Sequence, residues 1–173
     1  WAVKITTSRF GAIEVDFSKV IEMKGPILGF ERLRKFALIE HNKQSPFLWL
    51  QSVEDGAVAF VVVDPFMVKA DYAPTLGDED VRLLEIGRPT DVLVLAIVTI
   101  RKEPFAATAN LRAPVIVHAT RRIAKQIVLE DDVYPVQYPL ADRPADRPSH
   151  AGTRAPQSFQ RCEGSPEAAA TGK

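Results

Sequence analysis

The stretch from Ser45 to Pro65 most restricts what this chain can fold into: Ser-Pro-Phe-Leu-Trp-Leu-Gln-Ser-Val-Glu-Asp-Gly-Ala-Val-Ala-Phe-Val-Val-Val-Asp-Pro. Two short apolar segments, rich in Val, Leu and aromatics, flank a turn carrying Glu54, Asp55 and Gly56. β-Branched and aromatic side chains suit a pleated, half-buried surface, so the pattern predicts a β-hairpin. Pro65 has no N–H to give a ladder, so Asp64-Pro65 stops the second strand.

The rest of the chain up to Leu140 reads the same way. Val3, Ile5 and Thr7 alternate with Lys4 and Thr6, and Ile13 and Val15 alternate with Glu14 and Asp16, with a turn at Gly11 between. Val20 to Met23 and Phe36 to Glu40 are further short strands, separated by irregular backbone at Gly25-Pro26 and Gly29. Asp78-Glu79-Asp80 opens the one expected helix, because acidic groups suit the positive end of a helix dipole. Val81 and Leu84 give that helix an apolar face, and Gly87 is its expected end. Val92 to Val98 is continuously apolar without alternation, as in a strand covered on both faces. Pro114 to Thr120 and Ile123 to Leu129 form an expected closing pair around Thr120-Arg121-Arg122.

These elements predict an all-β, mainly antiparallel fold: a compact barrel or highly bent sheet over residues 1–140, with one short helix as plug or side cover. Residues 141–173 are dominated by Pro, Ala, Gly, Ser and charge, with Phe159 the lone large apolar residue, and are expected to be a disordered tail. The longest apolar runs, Ala57 to Val63 and Val92 to Val98, are too short to span a bilayer. The start, Trp-Ala-Val-Lys-Ile-Thr-Thr, lacks the apolar core of a signal peptide, and opening on Trp1 suggests that a residue or two precedes it.

Reactive chemistry is hard to find. The 22 basic and 22 acidic residues cancel, which gives no general drive toward nucleic acid or anionic lipid. Cys162 is the only cysteine, so an internal disulfide or a multi-thiolate metal site is ruled out, in keeping with a reducing cytosol. His41, His118 and His150 stand far apart without a second ligand at helical spacing; His41 is expected in a loop after a strand, and His118 on a strand with one side exposed. No glycine-rich phosphate loop is present. The carboxylate groups Glu54-Asp55, Asp78-Glu79-Asp80 and Glu130-Asp131-Asp132 sit at expected turns and helix starts, where capping explains them, or else form an acidic docking face. Arg121, Arg122 and Lys125 could touch phosphate, but no aromatic residues interleave with them for stacking. With no cofactor, metal site or catalytic group in view, a binding protein is favoured over an enzyme. A small-ligand barrel and an RNA-binding barrel are the alternatives.

Several segments, in order, resemble the flagellar assembly factor FliW family. They are Ser45 to Glu54 continuing through Ala59-Phe60-Val61-Val62 to Asp64-Pro65-Phe66; Asp91 to Thr99; Thr108-Ala109-Asn110-Leu111 with Ala113 to Val117; and Lys125 to Asp131 with Tyr134-Pro135. Gly29-Phe30-Glu31 precedes them. The family's usual Phe-Pro-x-Gly-Ile-Pro-Gly-Phe-Glu is here Met23-Lys24-Gly25-Pro26-Ile27-Leu28-Gly29-Phe30-Glu31, so that loop is expected to take its own path. The resemblance covers nearly all of 1–140. It implies a cytoplasmic, non-enzymatic FliW-type β-barrel-like protein with two partners, flagellin and the translational repressor CsrA, and no direct contact with nucleic acid or membrane. Free, such a protein antagonises CsrA; flagellin occupies it and restores repression. Asp64, Asp71, Tyr72, Asn110, Glu130, Asp131 and Tyr134 are the expected protein contacts, as polar or amphipathic groups at predicted strand ends; the alternative for Asn110 and Asp64 is that they stabilise turns through their own backbone. Trp49 and Phe60 are expected in the core.

Overall fold

In a computed structural model describing residues 1–103, 105–130, 132–140 and 160–161, the Ser45–Pro65 hairpin is one part of a closed β ring. The strands are β1 (Ala2–Thr7), β2 (Gly11–Asp16), β3 (Ile21–Met23), β4 (Lys35–Glu40), β5 (Phe47–Ser52), β6 (Ala59–Val63), β7 (Val92–Lys102), β8 (Phe105–Ala109), β9 (Val115–His118), β10 (Ile123–Gln126), β11 (Tyr138–Pro139) and β12 (Gln160–Arg161). The ring runs β3, β4, β5, β6, β7, β9, β10 and back to β3. Seven strands cannot alternate in direction all the way round, so one neighbouring pair must be parallel. That seam is β3 with β10, where Glu22 faces Ile123 and Met23 faces Ala124. The other ring pairings are antiparallel.

β7 closes the ring by using one edge twice. Val92–Leu95 pair with β9, and Val98–Lys102 pair with β8. The partner chain runs straight along that edge except at Asn110–Pro114, which bulge outward between Ala109 opposite Val98 and Val115 opposite Leu95. β8 and β11 were not read from the sequence. β8 carries Phe-Ala-Ala-Thr-Ala, too small and too weakly alternating to signal a strand.

Strand alternation sorts the side chains into three apolar layers. Phe36, Leu38, Leu50, Val62, Leu95, Val115 and Val117 fill the ring, together with Ile21, Met23 and Ile27. Ala37, Ile39 and Trp49 point outward and are covered by the β1–β2 hairpin through Phe10, Ile13 and Val15. Val63, Val94, Ala96, Val98 and Ile116 also point outward, under a third layer built from residues 64–91 and 127–140. The uninterrupted apolar run in β7 follows from this: alternate residues face two different cores. Trp49 and Phe60 are partly buried core members, as expected, with Phe60 edge-on to Phe30 at 4.9 Å.

Among the described residues there are two short α-helices where the sequence predicts one: α1 (Pro65–Val68) and α2 (Asp78–Leu83). Asp64-Pro65 ends β6 as expected and also starts α1. The Asp64 carboxylate accepts from the amide of Phe66, and Pro65 is preset for a first helical turn. α2 stops before Gly87. Glu85 takes the left-handed conformation (φ 53°), with Glu85 N donating to Arg82 O and Ile86 N to Val81 O. A glycine-type stop is thus made by glutamate, held by the burial of Leu84 on one side and the packing of Ile86 on the other. Both helices lie outside the barrel as a side cover. The expected tail, 141–173, lies outside the described residues apart from β12, which pairs in parallel with Ile39–Glu40 of β4.

Gly56 locks the N-terminal hairpin to the ring. Its carbonyl accepts from Ser8 N (3.0 Å) and from the buried Gln51 amide, which also reaches the carbonyls of Ser52 and Val58. A Cβ at Gly56 would lie 1.8 Å from the Thr6 carbonyl oxygen, closer than any side chain tolerates. Gly56→Ala should therefore push β1 off the ring and cost about 1–3 kcal/mol in urea unfolding. A variant as stable as the parent would show that the hairpin is not fastened there.

Candidate functional site

The excursion between β6 and β7, residues 64–91, is the largest departure from simple strand connection. It lies over the outward face of β7 and β9. Two tyrosines staple it down. The Tyr72 hydroxyl donates to the carbonyl of Leu111 in the bulge (2.7 Å), and the Tyr134 hydroxyl accepts from Ala73 N (2.9 Å). Their rings pack edge to face at 4.7 Å, and Phe66 meets Tyr72 at 5.7 Å.

Two concavities flank the extended segment Ala73–Gly77. One, of about 570 Å³, is lined by Phe66, Tyr72, Leu76, Ile86, Val92 and Ile116 among others, with Arg88 on its wall. The second, of about 300 Å³, is lined by Thr75, Asp80, Val128, Glu130 and Tyr134, among others. Exposed apolar groups edge both: Phe66 and Val128 line them, and Met67, 62 % exposed, follows Phe66 on α1. An apolar centre ringed by polar groups is the pattern of a protein-binding surface. Arg88 is held by Asp91 (3.4 Å), Lys125 by Asp80 (2.6 Å), and Arg121 by Glu85 (3.2 Å). Arg121 and Lys125, which could have touched phosphate, are thus already paired with carboxylates.

The structure places the expected contact residues unevenly. Asp64 is the half-buried cap of α1, and burial raises its pKa against the opposing effect of the Phe66 N–H. Asp71 is exposed and held by Lys69 (2.6 Å), a pairing that lowers its own pKa and raises that of Lys69. Tyr72 and Tyr134 are core residues, 3 % and 9 % exposed, and organise the surface from beneath. Burial raises the Tyr72 pKa, with a smaller contribution from Tyr134. Asn110 folds back on its own turn, its side-chain oxygen accepting from Arg112 N (3.1 Å) and Ala113 N (3.0 Å). Glu130 is exposed at the second concavity. Asp131 lies outside the described residues. Asp64, Asp71, Tyr72, Glu130 and Tyr134 therefore gather around one excursion, and Asn110 shapes the bulge to which it is stapled.

Sequence reasoning missed Phe66, Met67 and Val128 as surface groups. The available signal was Asp-Pro-Phe-Met itself: a capped helix start throws the next two side chains outward. His118 also differs from expectation. It is buried, and its Nδ1 accepts from Arg121 N (3.2 Å). Among the described residues, no three His, Cys, Asp or Glu side chains converge as a metal site, and no helix is long and apolar enough to cross a membrane.

Comparison with known proteins decides the family. The FliW protein family matches residues 4–140. The chain belongs to the FliW family. It is 48 % identical over 138 residues to the flagellar assembly factor FliW of Syntrophus aciditrophicus (strain SB), covering 80 % of this chain and 87 % of that one. It is 40 % identical over 143 residues to the FliW of Geobacter sulfurreducens, covering 83 % and 89 %. The crystal structure of a flagellar assembly factor FliW superposes with a TM-score of 0.73 at 31 % identity, over 80 % of this chain and 97 % of that chain. The FliW match therefore takes in the ring, the hairpin from Lys4 onward, the excursion and the C-terminal cover together.

Two substitutions test how the excursion is held. Tyr72→Phe strands the buried Leu111 carbonyl and should lower stability by about 1–3 kcal/mol in urea titration, and an unchanged midpoint would show that the staple is dispensable. Asp64→Asn keeps an acceptor for Phe66 N and removes a charge that burial penalises. Because the folded-state pKa of Asp64 lies above its ordinary 3.8, the folded protein holds this proton more tightly, and the stability tied to it is lost as pH rises. The stability of the Asn variant relative to the parent should therefore increase from about pH 4 to pH 7. A relative stability that falls over that range would contradict the burial argument.

Proposed function

We propose that this chain is a cytoplasmic flagellar assembly factor that works by holding rival proteins in turn, the translational repressor CsrA and flagellin. The observation that carries this reading is the FliW match across the whole ring and its covers. The filled interior supports it, because a barrel packed with Phe36, Leu50, Leu95 and Val115 leaves function to its outer surfaces. Free protein removes CsrA from its repressing role and so relieves flagellin translation. Flagellin displaces CsrA, and by linkage each partner weakens the other's binding by the same factor. Asp71, Glu130 and Asp131 are the proposed polar contacts, while Asp64, Tyr72, Asn110 and Tyr134 hold the excursion in place for them. No catalytic step enters this scheme.

The 570 Å³ concavity favours a second reading, since its size and apolar lining also suit a small ligand. The two separate in one experiment. The chain is co-purified with CsrA and flagellin from the same organism, and the two proteins are then made to compete. Stoichiometric capture of each, with mutual displacement, is the expected result. Binding of neither protein would remove the proposal, and a bound small molecule in their place would favour the second reading.

A further inference from the structure

One edge of β4 is only partly covered by β3. The Arg34 carbonyl accepts from Met23 N (2.7 Å), and the Lys35 carbonyl accepts from Val53 N (3.0 Å). Backbone groups alternate sides along a strand, so Phe36, Leu38 and Glu40 aim theirs toward the β3 side, and Ala37 and Ile39 toward β5. Pairing with β3 ends at Ile21 opposite Phe36. Before Ile21 the chain turns away through the 3-10 segment Phe17–Lys19 to join the outer hairpin. Leu38 and Glu40 thus face an edge that β3 does not serve, and Leu38 is buried, where backbone polar groups need partners. β12 occupies that edge, with Gln160 opposite Ile39 and Arg161 opposite Glu40.

We propose that this edge of β4 is a strand-acceptor site whose resident ligand is the chain's own C-terminal segment, and that Gln160–Arg161 strap it shut against an extended stretch of a second copy. A parallel strand centred on Gln160 offers its N–H toward Leu38 and its carbonyl toward the N–H of Glu40. Left open, such an edge is a template for pairing between chains. The connection from Leu140 can reach roughly 65 Å, so its length does not prevent docking anywhere on the ring. A tethered strand also acts at an effective concentration on the order of millimolar, which offsets the small number of bonds it makes. The FliW family model ends at residue 140, so the strap lies beyond the segment that the model describes.

Two full-length variants test this. Gln160→Pro removes the N–H at the centre of the strap without touching the ring. The Glu40 amide should then exchange with deuterium at least about tenfold faster than in the parent, and the variant should self-associate at concentrations where the parent is monomeric. Glu40→Cys with Arg161→Cys, in a Cys162→Ser background, places two thiols on neighbouring strands at a spacing suited to a disulfide. In a glutathione buffer this pair should close within one chain at least about tenfold faster than a Lys35→Cys/Arg161→Cys control. An unchanged Glu40 amide, equal closure rates, or a Pro variant that associates no more than the parent would overturn the proposal.

Discussion

Closure of the ring through β7 is the constraint on which the rest of the molecule depends. Its first residues pair with β9 and its last with β8, on the same edge, while its middle pairs with β6 on the other. One strand thereby joins the ring to its flange and presents apolar side chains to two cores. Leu93, Leu95 and Ile97 serve the interior, and Val92, Val94, Ala96 and Val98 serve the outer layer. If the β7–β9 pairing were lost, the interior layer and the layer beneath the excursion would open together.

The outer layer links fold to surface. Because β7 is apolar on its outward face, something must cover it, and residues 64–91 do so. Covering a flat strand face with a short, mostly non-helical excursion leaves gaps, and the two concavities are those gaps. The stapling tyrosines set how deep they are. The proposed partner surface is in this sense a by-product of covering the barrel, held by the Tyr72 bond to a bulge that Asn110 shapes and by the bond between Tyr134 and Ala73.

The β elements with strong alternation or β-branched content were legible from sequence: the hairpin, both N-terminal strands, β7 and the closing pair. β8 was not, because Ala and Thr pack there without an apolar stripe. α1 was hidden by its length, a single turn whose cap and proline also read as a strand stop. The end of α2 was misplaced because the chain uses Glu85, where a left-handed residue is ordinarily glycine. For the site, the sequence named Asp64, Asp71, Tyr72, Glu130 and Tyr134, which the fold places around one excursion. It could not tell a tyrosine that touches solvent from one that props the surface up, since that depends on contacts such as Tyr72 to Leu111, made between distant segments.

The single parallel seam has a consequence for biosynthesis. It joins a strand that leaves the ribosome early, Ile21–Met23, to one that leaves late, Ile123–Gln126. Five staves can assemble side by side during translation, yet the cylinder stays an open sheet until the last two emerge, with its lining exposed to water and to other nascent chains. Contacts so far apart along the polypeptide make for slow maturation. Newly made protein therefore passes through a vulnerable, half-rolled stage before any partner can meet its finished exterior.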